Sequence, residues 1–223
     1  MNISLPGFGV LAAALVMGTG SAYAQAPQDT GGACIPVAER AGRPYGCFIH
    51  ASTPVGALDT AQAVWHLETF ATVDAAAKAR TAHGLVVEAF DKVWLLTIAP
   101  ADFRSPGGTH VAEIGPIPVK AGTTYAAQFL EATFKPGMKS KVHRHSGPEV
   151  WYTLSGAACL ETPDGMMVSR SGAVPVIVPV GPPMELTATG SEIRTSLVLI
   201  LHDASQPHTS PASDWTPKGL CKG

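Results

Sequence analysis

The sequence predicts a mainly β protein, a barrel of short strands in its C-terminal half with a small α+β extension before it. Two compositional facts and one pattern point there. Hydrophobic residues make up 46% of the 223 and charged residues 14%, enough apolar material for a core and too little charge for a disordered chain. The 23 glycines and 19 prolines cut the apolar runs into short pieces, which favours turn-rich β structure over long helices. From residue 111 those pieces recur at regular intervals. A net charge of −2 leaves no basic footprint, so nucleic acid is not an expected partner.

Residues 1–24 read as a signal peptide. The run from Leu5 to Thr19 is almost wholly apolar or small and short for a bilayer span. Ala22 and Ala24 sit at the small-residue positions before a signal-peptidase cut. Met1 to Ser4 carries no Lys or Arg, a departure from the usual charged start, and an uncleaved membrane anchor is the competing reading. Export predicts a periplasmic or secreted protein with no membrane association once the peptide is removed.

Residues 25–63, rich in Gly, Pro, Ala and Thr, read as an extended arm with one strand near 47–51. Residues 64–110 read as the α+β unit. A β-prone stretch at 64–70 is followed by Thr72, which can cap an Ala-rich helix over 73–83 ended by Gly84. Strands at 85–89 and 93–98 flank a tight turn at Phe90-Asp91-Lys92, and 100–109 reads as a connecting loop. Residues 111–205 hold eight candidate strands: 125–134, 141–145, 149–154, 157–162, 166–169, 174–178, 184–189 and 195–202. Between them lie Lys135-Pro136-Gly137, Ser146-Gly147-Pro148, Thr162-Pro163-Asp164-Gly165 and Val180-Gly181-Pro182-Pro183, all strong turn signals. Eight short strands so punctuated predict a sandwich or jelly-roll barrel. Residues 206–223 form a tail.

Export would put Cys34, Cys47, Cys159 and Cys221 in an oxidising compartment, where an even count suggests disulfides. Three pairings are open. A bridge from each flank would tie down segments with little core of their own, whereas Cys159 could equally be a small buried hydrophobe within its strand. None of the four has zinc-ligand spacing.

His143 and His145 lie two apart, so on a strand both imidazoles share a face and Arg144 takes the other. Glu149 follows across a Gly-Pro turn, where a hairpin can bring its carboxylate beside them. Two imidazole nitrogens and a carboxylate oxygen suit Fe(II), Mn(II), Zn or Ni with positions left open for water or substrate. The frame around them is Gly137, five residues, His143-Arg144-His145, three residues, Glu149, six residues, Gly156. A 15-residue spacer then leads to Gly172, followed by Pro179-Val180-Gly181.

That frame resembles the cupin superfamily, in particular exported bacterial proteins with a single cupin domain of the type-2 kind. The resemblance covers roughly residues 111–205. It implies a jelly-roll β-barrel, a metal site on His143, His145 and Glu149, and edge-strand pairing into a homodimer. The second motif departs from the family at the position of its remaining histidine ligand, which is Met184, and at an expected asparagine, which is Ala188. A thioether is a soft, weak partner for hard divalent ions. Two outcomes stay open: a facial site of three ligands, or a metal-free hydrogen-bonded cluster. Glu185 points outward by strict alternation from Met184, yet a bulge after Pro182-Pro183 would turn it inward as a further ligand.

Trp151 and Thr153 share Glu149's face by period two and should line the barrel, Trp151 either stacking on a ligand or filling the core. Gln128 and Tyr152 are candidates for the outer hydrogen bonds that ligand imidazoles make. His66, His110, His202 and His208 lack a spaced partner and read as surface or loop residues. No hydrolase elbow, phosphate loop or Cys-x-x-Cys occurs. The functional expectation is a metal-dependent cupin acting on a small organic molecule, dioxygenase- or isomerase-like. The alternative is a non-catalytic periplasmic cupin that binds a small ligand without metal.

Overall fold

The protein is described by a computed structural model covering residues 34–59 and 63–222 together with Met1. The expected signal peptide and the first part of the arm lie outside the described residues. In chain order the elements are β1 (Ile35–Pro36), a 3-10 turn (Val37–Glu39), β2 (Gly46–Ala57), β3 (Val64–Phe70), α1 (Val73–Ala79), β4 (Gly84–Ala89), β5 (Lys92–Ala99) and β6 (Thr109–Ile114). Then come β7 (Thr124–Phe134), β8 (His143–His145), β9 (Glu149–Ser155), β10 (Ala157–Thr162), β11 (Gly165–Arg170), β12 (Val176–Val178), β13 (Glu185–Thr189), β14 (Arg194–Asp203) and β15 (Thr209–Pro211).

Three layers result. The central layer is a six-stranded sheet in the order β1-β2-β7-β14-β9-β12. One face packs against the four-stranded sheet β4-β5-β3-β6, burying Trp65, Leu67, Trp94 and Leu96 with Phe129, Val150, Leu197, Leu199 and Leu201. The other face looks across the barrel interior at β11-β10-β13, burying Leu130, Phe134, Trp151, Val198 and Ile200 with Leu160, Met184 and Leu186. Single bridges, Lys139 to Thr187 and His143 to Met184, extend that second wall toward the pair β8-β15. The two walls face each other without closing into one continuous sheet.

Every barrel strand expected from the turn signals is present. The expected boundaries at residues 63 and 110 do not coincide with the sheets. β2, read as part of an extended arm, is a 12-residue strand paired antiparallel along β7. Its register shifts between Ile49 and Ala51 and between Pro54 and Gly56 interrupt the alternation that would have revealed it. β6 starts within the expected loop and pairs with β3, so the α+β unit runs on to Ile114. The helix is capped as expected, with Thr72 Oγ1 accepting from the Ala75 amide at 3.2 Å, but ends at Ala79 because Arg80 is extended. Phe90 and Asp91 both take positive φ, 52° and 59°, the primed turn that a two-residue hairpin demands.

Two disulfides tie the flanks to the barrel: Cys34 with Cys47 on β2, and Cys159 on β10 with Cys221 in the tail. Cys159 is therefore a bridged cysteine and not a free buried thiol. The tail is held further by Glu161, whose carboxylate accepts the amides of Lys218 and Leu220.

Candidate functional site

β8 is only three residues long, and its position is set from both sides. The His143 amide donates to the Met184 carbonyl at 3.1 Å and the Met184 amide returns a bond at 2.8 Å. β15 pairs along its other edge. Arg144 points away from the imidazoles, as alternation requires, and grips Asp214 at 2.7 and 2.8 Å. The turn that follows lies hard against β14: a Cβ at Gly147 would stand 1.9 Å from the Leu201 carbonyl oxygen. Only glycine admits that approach. It lets Leu201 donate to the Pro148 carbonyl, and Glu149 enters β9 opposite Ile200 and Val178.

Both imidazoles are oriented by their outer nitrogens. His143 Nδ1 donates to the Lys141 carbonyl at 2.7 Å, and His145 Nδ1 to the His208 carbonyl at 2.8 Å. These bonds fix the tautomers in which Nε2 carries the free lone pair, the arrangement typical of ligand histidines. The backbone makes them, not Gln128 or Tyr152. The two rings meet edge to face at 4.9 Å, and His145 Nε2 lies 3.5 Å from Glu149 Oε2. Both of those atoms are buried and lack a hydrogen-bond partner.

Burial shapes the charges here. It pushes His143 below its ordinary value, helped by His145. Burial would also lower His145, but the Glu149 carboxylate outweighs it and holds that imidazole above its ordinary value. Burial would raise Glu149; the attraction of His145 outweighs it and keeps the carboxyl below its usual range. The donor chemistry therefore fits a divalent metal. The placement is looser: among the described residues no three His, Cys, Asp or Glu side chains are arranged to hold an ion as they stand.

The three residues line a cavity of about 370 Å³ in the barrel interior, within the size range of small-molecule sites. Its walls are mostly apolar, with Leu130, Phe134, Trp151, Leu160, Leu186 and Ile200 among them. Trp151 is among the lining residues. Thr153 is not: its hydroxyl is hydrogen-bonded to Ser169 on β11. Gln128 is buried on the interior face but outside the lining, and Tyr152 packs into the opposite layer. Met184 is fully buried beside His143 yet belongs to the core and not the lining. Glu185 follows strict alternation and turns away to Lys139 at 2.7 Å, so no bulge delivers a second carboxylate.

Two residues escaped the sequence reading. His208, expected on the surface, borders the cavity, and its carbonyl orients His145. Arg194, at the start of β14, lies in the barrel wall with its guanidinium over the rings of Trp151 and Phe134, at 5.2 and 5.9 Å. Counting back by twos from Ile200 and Val198 would have placed it inside. His66 and His202 are buried rather than exposed, His66 donating to the Pro100 carbonyl at 2.9 Å. His110 is exposed on β6.

No protein-family model and no curated protein matches the chain. Solved structures do. A cupin-like protein from Thermotoga maritima is 15% identical over 42% of this chain and 70% of its own, with a TM-score of 0.37. A Cupin 2 conserved barrel domain protein from Salinispora arenicola is 22% identical over 35% of this chain and 65% of its own, at 0.32. An oxalate oxidase in complex with the substrate analogue glycolate is 17% identical over 38% of this chain, at 0.33, and this chain spans only 45% of that protein. Likenesses this distant concern the fold and carry nothing about chemistry. Two facing antiparallel walls, with His143 and His145 on β8 and Glu149 at the start of β9, give the C-terminal half the layout of a jelly roll.

Proposed function

We propose that the barrel is a small-molecule site organised on His143, His145 and Glu149, which bind a divalent metal, and that the protein is an exported metal-dependent enzyme of the dioxygenase or isomerase kind. One observation carries this reading: both Nδ1 atoms are spent on backbone carbonyls, while His145 Nε2 and Glu149 Oε2 are buried without partners beside the cavity. Unsatisfied buried polar atoms cost on the order of 1–3 kcal/mol each, so their retention calls for something that binds them. Fe(II), Mn(II), Zn or Ni would supply Lewis acidity and open coordination positions there. The chain's own contributions are separable from the metal's. Glu149 can accept a proton, the apolar walls exclude water, and Trp151 offers a flat face to the ligand. The two disulfides support export to an oxidising compartment, and among the described residues no helix is long and apolar enough to cross a membrane.

A second reading, a metal-free binding protein, is favoured by a different observation. His145 is held toward its protonated form by Glu149, so the two can satisfy each other as an ion pair. Elemental analysis of protein exported through its own leader and purified without chelator separates the two. The metal reading expects stoichiometric metal that falls to background in His143→Ala, His145→Ala and Glu149→Gln. Wild-type protein that stays empty after incubation with each of the four ions would sink it.

A further inference from the structure

We propose that Arg194 is the receptor for a carboxylate on the ligand, so that the cavity takes a small organic acid with an apolar body. This deepens the reading of the barrel as a small-molecule site and does not require the metal.

Arg194 is 1% exposed, and its Nε and Nη2 have no hydrogen-bond partner. The guanidinium lies over the rings of Trp151 and Phe134, contacts that engage no N–H, so Nε and Nη2 stay available for recognition. A planar fork held this way suits a bidentate carboxylate. The rest of the protein shows how unusual the arrangement is. Among the described residues the other buried carboxylates are all engaged: Glu68 accepts the Ser105 amide, Glu131 is bonded to Arg40 and His50, and Glu161 accepts two tail amides. Among the described residues, only in the cavity wall do a buried carboxylate and a buried guanidinium keep unpartnered atoms. They do not hydrogen-bond each other, although the Glu149 charge is felt at Arg194 and opposes the effect of burial, which pushes the guanidinium down to about 10.

The charge of the lining also fits an acid. Arg43, Lys141 and Arg194 border the cavity, against the single carboxylate of Glu149. Arg43 and Lys141 are exposed and would steer an anion inward, while Arg194 waits inside. Between Arg194 and the imidazoles the walls are Leu130, Leu160, Leu186, Val198 and Ile200, so the ligand's body should be hydrocarbon or aromatic.

The test pairs acids with neutral isosteres: benzoate against benzamide and hexanoate against hexanamide, titrated calorimetrically into the purified full-length mature protein. At least one acid should bind at millimolar concentration or better, with its amide about tenfold weaker or more, since the unpaired guanidinium rejects a ligand without an anion. Arg194→Met, which keeps the packing volume, should erase the preference for the acid, and Arg194→Lys should keep part of it. Chelator-treated wild-type protein should retain acid binding, so loss of the metal reading would leave this one standing. Equal binding of acid and amide, unchanged acid binding in Arg194→Met, or no binding by either acid would overturn the proposal. The acid–amide comparison needs no variant and decides the matter if Arg194→Met fails to fold.

Discussion

The central sheet is buried on both faces, and the two faces are built differently. Toward the α+β unit, β14 presents Leu197, Leu199 and Leu201, which interlock with Phe129 and Val150 and the tryptophans of the small sheet. Toward the barrel the same strand presents Arg194, Ser196, Val198, Ile200 and His202. Polar atoms without partners concentrate on that inner face, in Gln128, Glu149, Arg194, Ser196 and His202, with Thr133 the exception on the outer one. The outer face does bury a charge, Glu131, but surrounds it with Arg40 and His50. One face is optimised for holding layers together; the other gives up hydrogen bonds to keep a chemically armed hollow. The difference is the trade expected between stability and a binding site.

The largest expected effect lies on the outer face. Leu199→Ala removes a side chain fully enclosed between two sheets and should destabilise by about 4 kcal/mol, toward the top of the range of about 2–5 for such truncations. Ile200→Ala, the next residue along, opens into space that already exists and should lie near about 2 kcal/mol. Urea denaturation with an unchanged slope would measure both. Equal losses, or the reverse order, would mean the hollow is as tightly packed as the layer interface.

A smaller contrast concerns the two buried carboxylates. Glu131→Gln weakens its bonds to Arg40 and His50 and should cost about 1–3 kcal/mol. Glu149→Gln, in chelator-treated protein, trades a poorly satisfied charge for a neutral group and should stay within about 1 kcal/mol of wild type. The pH dependence sharpens this. The carboxyl of Glu149 is held below its ordinary 4.5, so its contribution is present above that pH and lost as pH falls. His145 is held above 6.5, so its contribution is present below 6.5 and lost as pH rises through its folded value. His143 is lowered and has the opposite sign, destabilising as it charges below 6.5, but both proteins contain it. Wild type should therefore lose thermal stability relative to Glu149→Gln as pH rises through the histidine range. A constant difference in Tm would show that the two side chains do not form an ion pair.

What could be read in the sequence divides along the same faces. The barrel strands announced themselves because Gly and Pro turns bound them, and His143, His145 and Glu149 stood out because of the glycine frame around them. β2 was hidden because Pro54, Gly56 and two register shifts break its period. Arg194 was hidden because it follows the turn Gly190-Ser191-Glu192-Ile193, where a charged residue reads as solvent-facing; only its parity with Ile200 betrays it. His208 contributes through a backbone carbonyl, and a carbonyl has no sequence signature. The dryness of the outer face follows from the small sheet packing on it, a tertiary fact that strand-by-strand alternation does not contain.

The smallest expected effect tests whether strand β8 is held by its backbone or by its outward side chain. Arg144 and Asp214 form a two-bond pair, but both are solvent-exposed to an appreciable degree, 33% and 63%. Such pairs contribute about 0–1 kcal/mol and fade with salt. Asp214 is held below the usual carboxylate range by the hydrogen bond from Arg144, so any contribution is present at neutral pH and lost on acidification. Against that stand the paired bonds of His143 with Met184, the β15 register and the Gly147 approach, none of which involves the Arg144 side chain. Arg144→Ala should accordingly change stability by less than about 0.5 kcal/mol and leave the ligand affinity of the cavity unaltered. If affinity instead falls in step with added salt in wild type and is already low in Arg144→Ala, the ion pair positions the imidazoles. The inner face would then depend on the protein's surface as well as on its core.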